Sequence, residues 1–206
     1  MYATGNAVTM TVNHVCTDSE GGHCKLGNVV MAGGAVSGQT ASIVNSEFDE
    51  NQVSFYGNIT DDDFFALSIT MEGGAIDVAG ELALRHSVNV ETADSPGEGI
   101  SGNSISLIYS GTKSFAVGVL VMRGGAVHAG SVAFDAPDEP EADGGDEEVL
   151  AKDYGLWDVR FSNNALVYSV SAEPEFVLFP IVYGRALAVD GAGGYMTDVL
   201  FEGNDY

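Results

Sequence analysis

Apolar and polar residues alternate in four short segments that each start directly after an asparagine: AVTMTV after Asn6, QVSFYG after Asn51, SISLIY after Asn103 and ALVYSV after Asn164. A period of two puts successive side chains on opposite faces and predicts β-strands. A second set, VVMA, LSITME, VLVMR and PIVY, runs into a glycine motif: GGAV at 33–36, GGAI at 73–76, GGAV at 124–127 and a degenerate GRAL at 184–187. The asparagines close a motif of their own, FDEN at 48–51, FSNN at 161–164 and FEGN at 201–204, with weaker copies ATGN at 3–6 and ISGN at 100–103. The two motifs alternate strictly along the chain.

The stretch from each Asn to the next glycine motif spans 27, 22, 21 and 20 residues, whereas the return to the next Asn spans 18, 30, 40 and 20. Length variation is therefore confined to one part of each unit. Strands that recur at about 20 residues without helical patterning, with insertions at one recurring place, predict an all-β chain of stacked coils, a parallel β-solenoid. The alternative is a Greek-key sandwich in which GGA recurs by chance. In the stacked arrangement Val8, Val53, Ile105 and Leu166 point inward, as do Ala35, Ala75, Ala126 and Ala186, while Ser54 faces outward and tolerates a charge. The glycine pairs fit a corner that needs positive φ or close approach of a neighbouring coil. The Asn fits a turn position that takes the left-handed region and bonds nearby backbone.

Composition supports a packed body and narrows its partners. Hydrophobic residues make up 45% of the 206 and charged residues 18%, too apolar for a disordered acidic tail. A formal net charge of -23 excludes nucleic acid as a partner, because a polyanion is repelled. No apolar run is long enough to span a membrane as a helix, and the opening MYATGNAVTM shows neither the basic nor the apolar region of a signal peptide. One domain, 1–206, is expected.

Cys16 and Cys24 flank the stretch TDSEGGH, a spacing that suits a disulfide closing a surface loop and would imply an oxidising compartment. Two free thiols are the alternative. A zinc site using Cys16, Cys24, His14 and His23 has four ligands but matches no standard spacing.

The alternating GGA(I/V) and FxxN motifs resemble those of the chlamydial polymorphic outer-membrane proteins and, more broadly, adhesin-like repeats of the pectin-lyase-like superfamily. The resemblance implies a right-handed parallel β-helix displayed at a cell surface or secreted, commonly as part of an autotransporter passenger, with adhesion as its role. It carries adhesion onto Gly33, Gly34, Gly73, Gly74, Gly124 and Gly125 of the glycine motifs, and onto Phe48, Asn51, Phe161 and Asn164 of the FxxN motifs. Arg185 in place of the second Gly and Ile100 in place of Phe depart from the pattern. The chain is then a fragment of a longer passenger or a small secreted relative.

An insertion at 135–153 holds nine acidic residues against Lys152. Within it Glu139, Glu141 and Asp143 precede Gly144 in a spacing similar to an oxygen-rich calcium loop, though Leu150 stands where a closing Glu belongs. A solvated acidic loop and weak calcium binding are both open, as they are for Asp61, Asp62 and Asp63. Beyond calcium no cofactor is expected.

Enzymatic β-helices act on polysaccharides with carboxylates and basic residues on neighbouring coils. Here the candidates are Asp77, His128 counted one place beyond the equivalent position, Ser37 in the matching place, and Arg85, His86 and Arg123. Asp77 and His128 are expected about two coils, on the order of 10 Å, apart. Tyr154 and Trp157 offer a sugar-stacking platform or, for Trp157, a packing residue. The function expected is a structural or adhesive module without chemistry of its own. Its partners would be a host or neighbouring-cell surface protein or glycan, with head-to-tail self-association. The rival is a polysaccharide lyase or glycoside hydrolase.

Overall fold

The computed structural model describes residues 2–12, 23–44, 46–59, 63–85, 99–132, 155–191 and 196–204. The Cys16–Cys24 disulfide, the zinc alternative, the insertion 135–153 with Glu139, Glu141 and Asp143, the pair Asp61 and Asp62, His86 and Tyr154 all fall outside the described residues, as do the side chains of Arg85 and Trp157. What is described is all-β, and every strand pairing in it is parallel. Among the described residues no helix is long and apolar enough to cross a membrane.

Strands are numbered in chain order. The post-Asn segments form one four-stranded sheet, β2 (Ala7–Val12), β7 (Gln52–Gly57), β11 (Ser104–Ser110) and β15 (Ala165–Ser171), in that spatial order. The segments before the glycines form a second, β3 (His23–Ala32), β8 (Asp63–Glu72), β12 (Phe115–Arg123) and β16 (Glu175–Tyr183). The third sheet takes the residues around both motifs. One of its rows is β1 (Tyr2–Thr4), β6 (Glu47–Asp49), β10 (Ile100–Ser101), β14 (Leu156–Ser162) and β18 (Met196–Glu202). The other is β4 (Val36–Gly38), β9 (Ile76–Arg85), β13 (Val127–Val132) and β17 (Leu187–Val189), with β5 (Ala41–Val44) also on β9.

Register follows the motifs. Val8, Val53, Ile105 and Leu166 are in one column, the last three buried and Val8 packed against them. Phe55, Phe64, Tyr109 and Phe115 fill the space between the first two sheets, Phe64 and Phe115 stacked with ring centroids 5.2 Å apart. A second cluster lines the third sheet through Phe48, Ile76, Ile100, Val127 and Phe161. Ala75, Ala126 and Ala186 are buried there, with Ala35 packed against them. Ser54 departs from its expected exposure. It is 1% exposed, between Thr9 and Ser106, and Ser106 Oγ donates to its hydroxyl at 3.2 Å. A small side chain on the outer side of a central strand is covered by the strands on either side of it.

The glycine corner needs both of its glycines. Gly33, Gly73, Gly124 and Gly184 have φ between 55° and 73°, in the left-handed region. A Cβ on the second glycine would lie 2.2 Å from Gly74 O at Gly34, 2.0 Å from Gly125 O at Gly74 and 1.8 Å from Arg185 O at Gly125. Within the described strands β17 closes this row, so Arg185 has no further carbonyl of that column above it.

At the other corner the asparagines form a ladder. Asn6, Asn51, Asn103 and Asn164 each donate the backbone N–H and an Nδ2 proton to the Oδ1 of the next Asn, at 2.9–3.1 Å, ending on Asn204. Each amide from Asn51 onward also donates Nδ2 to a carbonyl of the preceding unit: Ala3, Phe48, Ile100 and Phe161. The positive φ expected of the Asn belongs to the residue before it, Gly5, Glu50, Gly102, Asn163 or Gly203. The Asn side chain bonds between strands rather than along its own turn.

Candidate functional site

The glycine corner turns the chain from the second sheet into the third, so the residue just before it and the residues just after it meet on the outside of the bend. Before the first glycine stand Glu72, Arg123 and Tyr183, in register at the ends of β8, β12 and β16. Beyond the corner Ser37, Asp77, His128 and Ala188 are in register on β4, β9, β13 and β17. Asp190 follows β17, its backbone N–H held by Ala129 O.

These side chains form one polar cluster. His128 Nδ1 lies 2.7 Å from Asp77 Oδ1, and Ser37 Oγ donates weakly to Asp77 Oδ2 at 3.5 Å. His128 Nε2 is 3.3 Å from Asp190 Oδ2 but off the hydrogen-bond line, a contact that becomes an ion pair when the imidazole is protonated. Arg123 Nε donates to Glu72 Oε1 at 2.7 Å, Nη2 to the same oxygen, and Nη1 to Asp190 Oδ2. Tyr183 Oη donates to Asp190 Oδ1 at 2.5 Å. His128 is 3% exposed and Asp77 8%.

Three carboxylates thus surround one imidazole and one guanidinium. Burial and the nearby Arg123 disfavour the charged imidazole, but the hydrogen bond His128 donates to Asp77 and the negative charges of Glu72 and Asp190 prevail and hold the His128 pKa above its ordinary value. Burial likewise works against the Asp190 carboxylate, yet Tyr183, His128 and Arg123 draw its pKa below the usual range. Burial and the bond to Asp190 raise the Tyr183 phenol. Donor atoms of Glu72, Asp77 and His128 lie within 4.8 Å of one another, close enough to meet on one cation. The Arg123 guanidinium already rests on Glu72 and Asp190, so a cationic group is built into the cluster.

Asp77 and His128 are therefore neighbours, not about 10 Å apart. Both stand four residues after the first glycine of their motifs, as Ser37 does, and β9 and β13 lie side by side. Glu72, Tyr183 and Asp190 escape a sequence reading because they lie outside the motifs. The signal that would have found the first two is the column just before the glycines.

The motif residues are placed elsewhere. Phe48, Asn51, Phe161 and Asn164 are fully buried, as are Gly33, Gly73, Gly74, Gly124 and Gly125, with Gly34 half-buried. Asp63 holds Ser114 through its backbone N–H and its hydroxyl. Large apolar side chains are exposed instead on the outer face of the second sheet: Phe65 and Leu67 on β8, Phe176 and Leu178 on β16. Phe65 and Phe176 share a column through Ala116.

No protein-family model matches the chain, and neither the curated proteins nor the solved structures yield a similar one. The likeness to polymorphic outer-membrane repeats rests on the motif residues alone.

Proposed function

We propose that the chain winds as a right-handed parallel β-helix and serves, secreted or at a cell surface, as a structural and adhesive module without chemistry of its own. The observation that carries this reading is the outer face of the second sheet, where Phe65, Leu67, Phe176 and Leu178 stand 41–58% exposed. Apolar groups left on a broad face mark a contact surface. The motif residues, being buried, would support adhesion by holding that face flat instead of touching the partner, a surface protein or a glycan. Weak calcium binding at Glu139, Glu141 and Asp143 and head-to-tail association belong to the same proposal.

The test is binding of the chain to intact cells or to immobilised surface glycans. The double variant Phe65→Ser/Leu67→Ser should lose binding while keeping its circular dichroism and melting temperature. Undiminished binding by the folded variant would refute this face as the adhesive one.

The contact of His128 with Asp77 favours the second reading, a polysaccharide-active enzyme. Both side chains are nearly closed off from solvent and His128 faces carboxylates on both ring nitrogens, which leaves little room for a sugar. Release of reducing ends or unsaturated products from acidic polysaccharides, abolished by His128→Gln, would establish that reading over the first.

A further inference from the structure

His128 has a carboxylate on each side. Asp77 on β9 meets Nδ1, and Asp190, just beyond β17, lies 3.3 Å from Nε2. The other charged or titratable groups turned toward it are Glu72 from the end of β8 and Arg123 from the end of β12. Tyr183 from the end of β16 acts through Asp190, and Ser37 on β4 acts through Asp77. The ring itself is nine-tenths buried or more, with a side-chain exposure of 4%.

A neutral imidazole carries one N–H. With that proton on Nδ1 and given to Asp77, the unprotonated Nε2 lies 3.3 Å from the Asp190 carboxylate. One added proton places an N–H there and turns the contact into an ion pair. We propose that His128 is a proton-operated latch, which fastens the Asp190 segment of the last pass to the two earlier passes when protonated and loosens it when neutral. Arg123 and Tyr183 keep their hold on Asp190 in both states, so the segment relaxes without leaving the corner.

The sign follows from the direction of the shift. The His128 pKa in the folded chain is held above the ordinary histidine value of 6.5, so the latch contributes fully below that value and is lost as pH climbs through the folded-state pKa. The segment should therefore loosen toward alkaline pH, not toward acid.

Two readouts on the intact chain test the latch. In the first, the His128 ring resonances are titrated by NMR, in wild type and in Asp190→Asn. The wild-type ring should titrate above the ordinary histidine range, and Asp190→Asn should bring it down. In the second, hydrogen exchange is followed at the amides of Asp190 and Gly191, which donate to Ala129 O and Gly130 O at 3.0 and 2.7 Å. Corrected for intrinsic exchange, their protection should fall severalfold between about pH 6 and about pH 9 in wild type. In His128→Gln it should stay flat. A wild-type ring that titrates at or below the ordinary histidine value overturns the proposal, as does an equal alkaline loss of protection in His128→Gln. Should His128→Gln fail to fold, the wild-type titration and Asp190→Asn still decide the matter.

Discussion

The two corners of each repeat answer the same problem differently. At the Asn corner one residue type recurs five times, and the three inner amides, Asn51, Asn103 and Asn164, are each satisfied by their own column and a carbonyl of the preceding unit. At the glycine corner the backbone recurs while the flanking side chains change from repeat to repeat: Ala, Glu, Arg, Tyr before the bend and Ser, Asp, His, Ala after it. Parallel stacking explains both. An amide is its own complement, donor and acceptor at once, so repetition builds a ladder. A charge set against its own copy one strand away is repelled, so charged columns must alternate in sign or in kind. A uniform column holds the stack together, and a mixed one gathers unlike groups where local chemistry can arise.

The contrast can be broken most severely at Gly125. Its absent Cβ would sit 1.8 Å from Arg185 O, in the bend between β16 and β17, and 2.6 Å from Ala165 O on β15, backbone atoms that cannot swing away as a side chain can. Gly125→Ala should cost on the order of 4 kcal/mol or prevent folding, at the upper end of single-residue effects. Urea unfolding near the wild-type midpoint would show that the corner yields.

Asn103→Ala comes next. Asn103 Oδ1 accepts from Asn51 N and Nδ2, while its Nδ2 reaches Phe48 O and Asn164 Oδ1. Its loss strands several buried groups, at roughly 1–3 kcal/mol for each one left unpaired. Denaturant titration should give about 3 kcal/mol, and Asn6→Ala at the half-open end of the ladder should lose much less. Equal losses at both positions would mean that the ladder is not what stabilises this corner.

Ser54→Asp should lower stability by about 2 kcal/mol, since a carboxylate there would be buried beside Ser106 without a cation among the described neighbours. Val53→Asp, on the core side, should cost more. A melting temperature for Ser54→Asp equal to wild type would restore the simple inside-outside alternation to this strand. The smallest effect is a gain. Glu50 has φ 54°, a position occupied by Gly in three of the five Asn motifs. Glu50→Gly should relieve that strain and raise stability by about 0.5 kcal/mol, a small excess over the entropy cost of glycine, readable as a shift in melting temperature.

The columns were legible because a strict period of two and two alternating motifs fix both the face and the phase of each strand. That is why Val53 and Ile105 are found where the alternation puts them. The burial of Ser54 was not, because coverage depends on the strands alongside. Nor was the third sheet, whose rows are two to ten residues long and interrupted by the motifs themselves. The polar cluster was half legible: Asp77 and His128 stand out after their glycines, but their contact depends on counting both motifs from the same residue. Asp190 offered no signal, since it follows the degenerate GRAL and reaches His128 only once β17 is laid on β13.

Arg185 gives the stack a direction in which it can be lengthened. In every other pass the second position of the corner is a glycine whose Cβ would strike the next carbonyl, so glycine there keeps the way clear for the pass above. A duplicated pass spliced in ahead of Gly184 would leave glycine beneath each new carbonyl and should add length without strain. The same pass laid beyond Arg185 would meet a side chain at the root of the corner. Extension of this protein by design therefore has one permissive seam ahead of Gly184, and Arg185→Gly is the change that would ease a second beyond that corner.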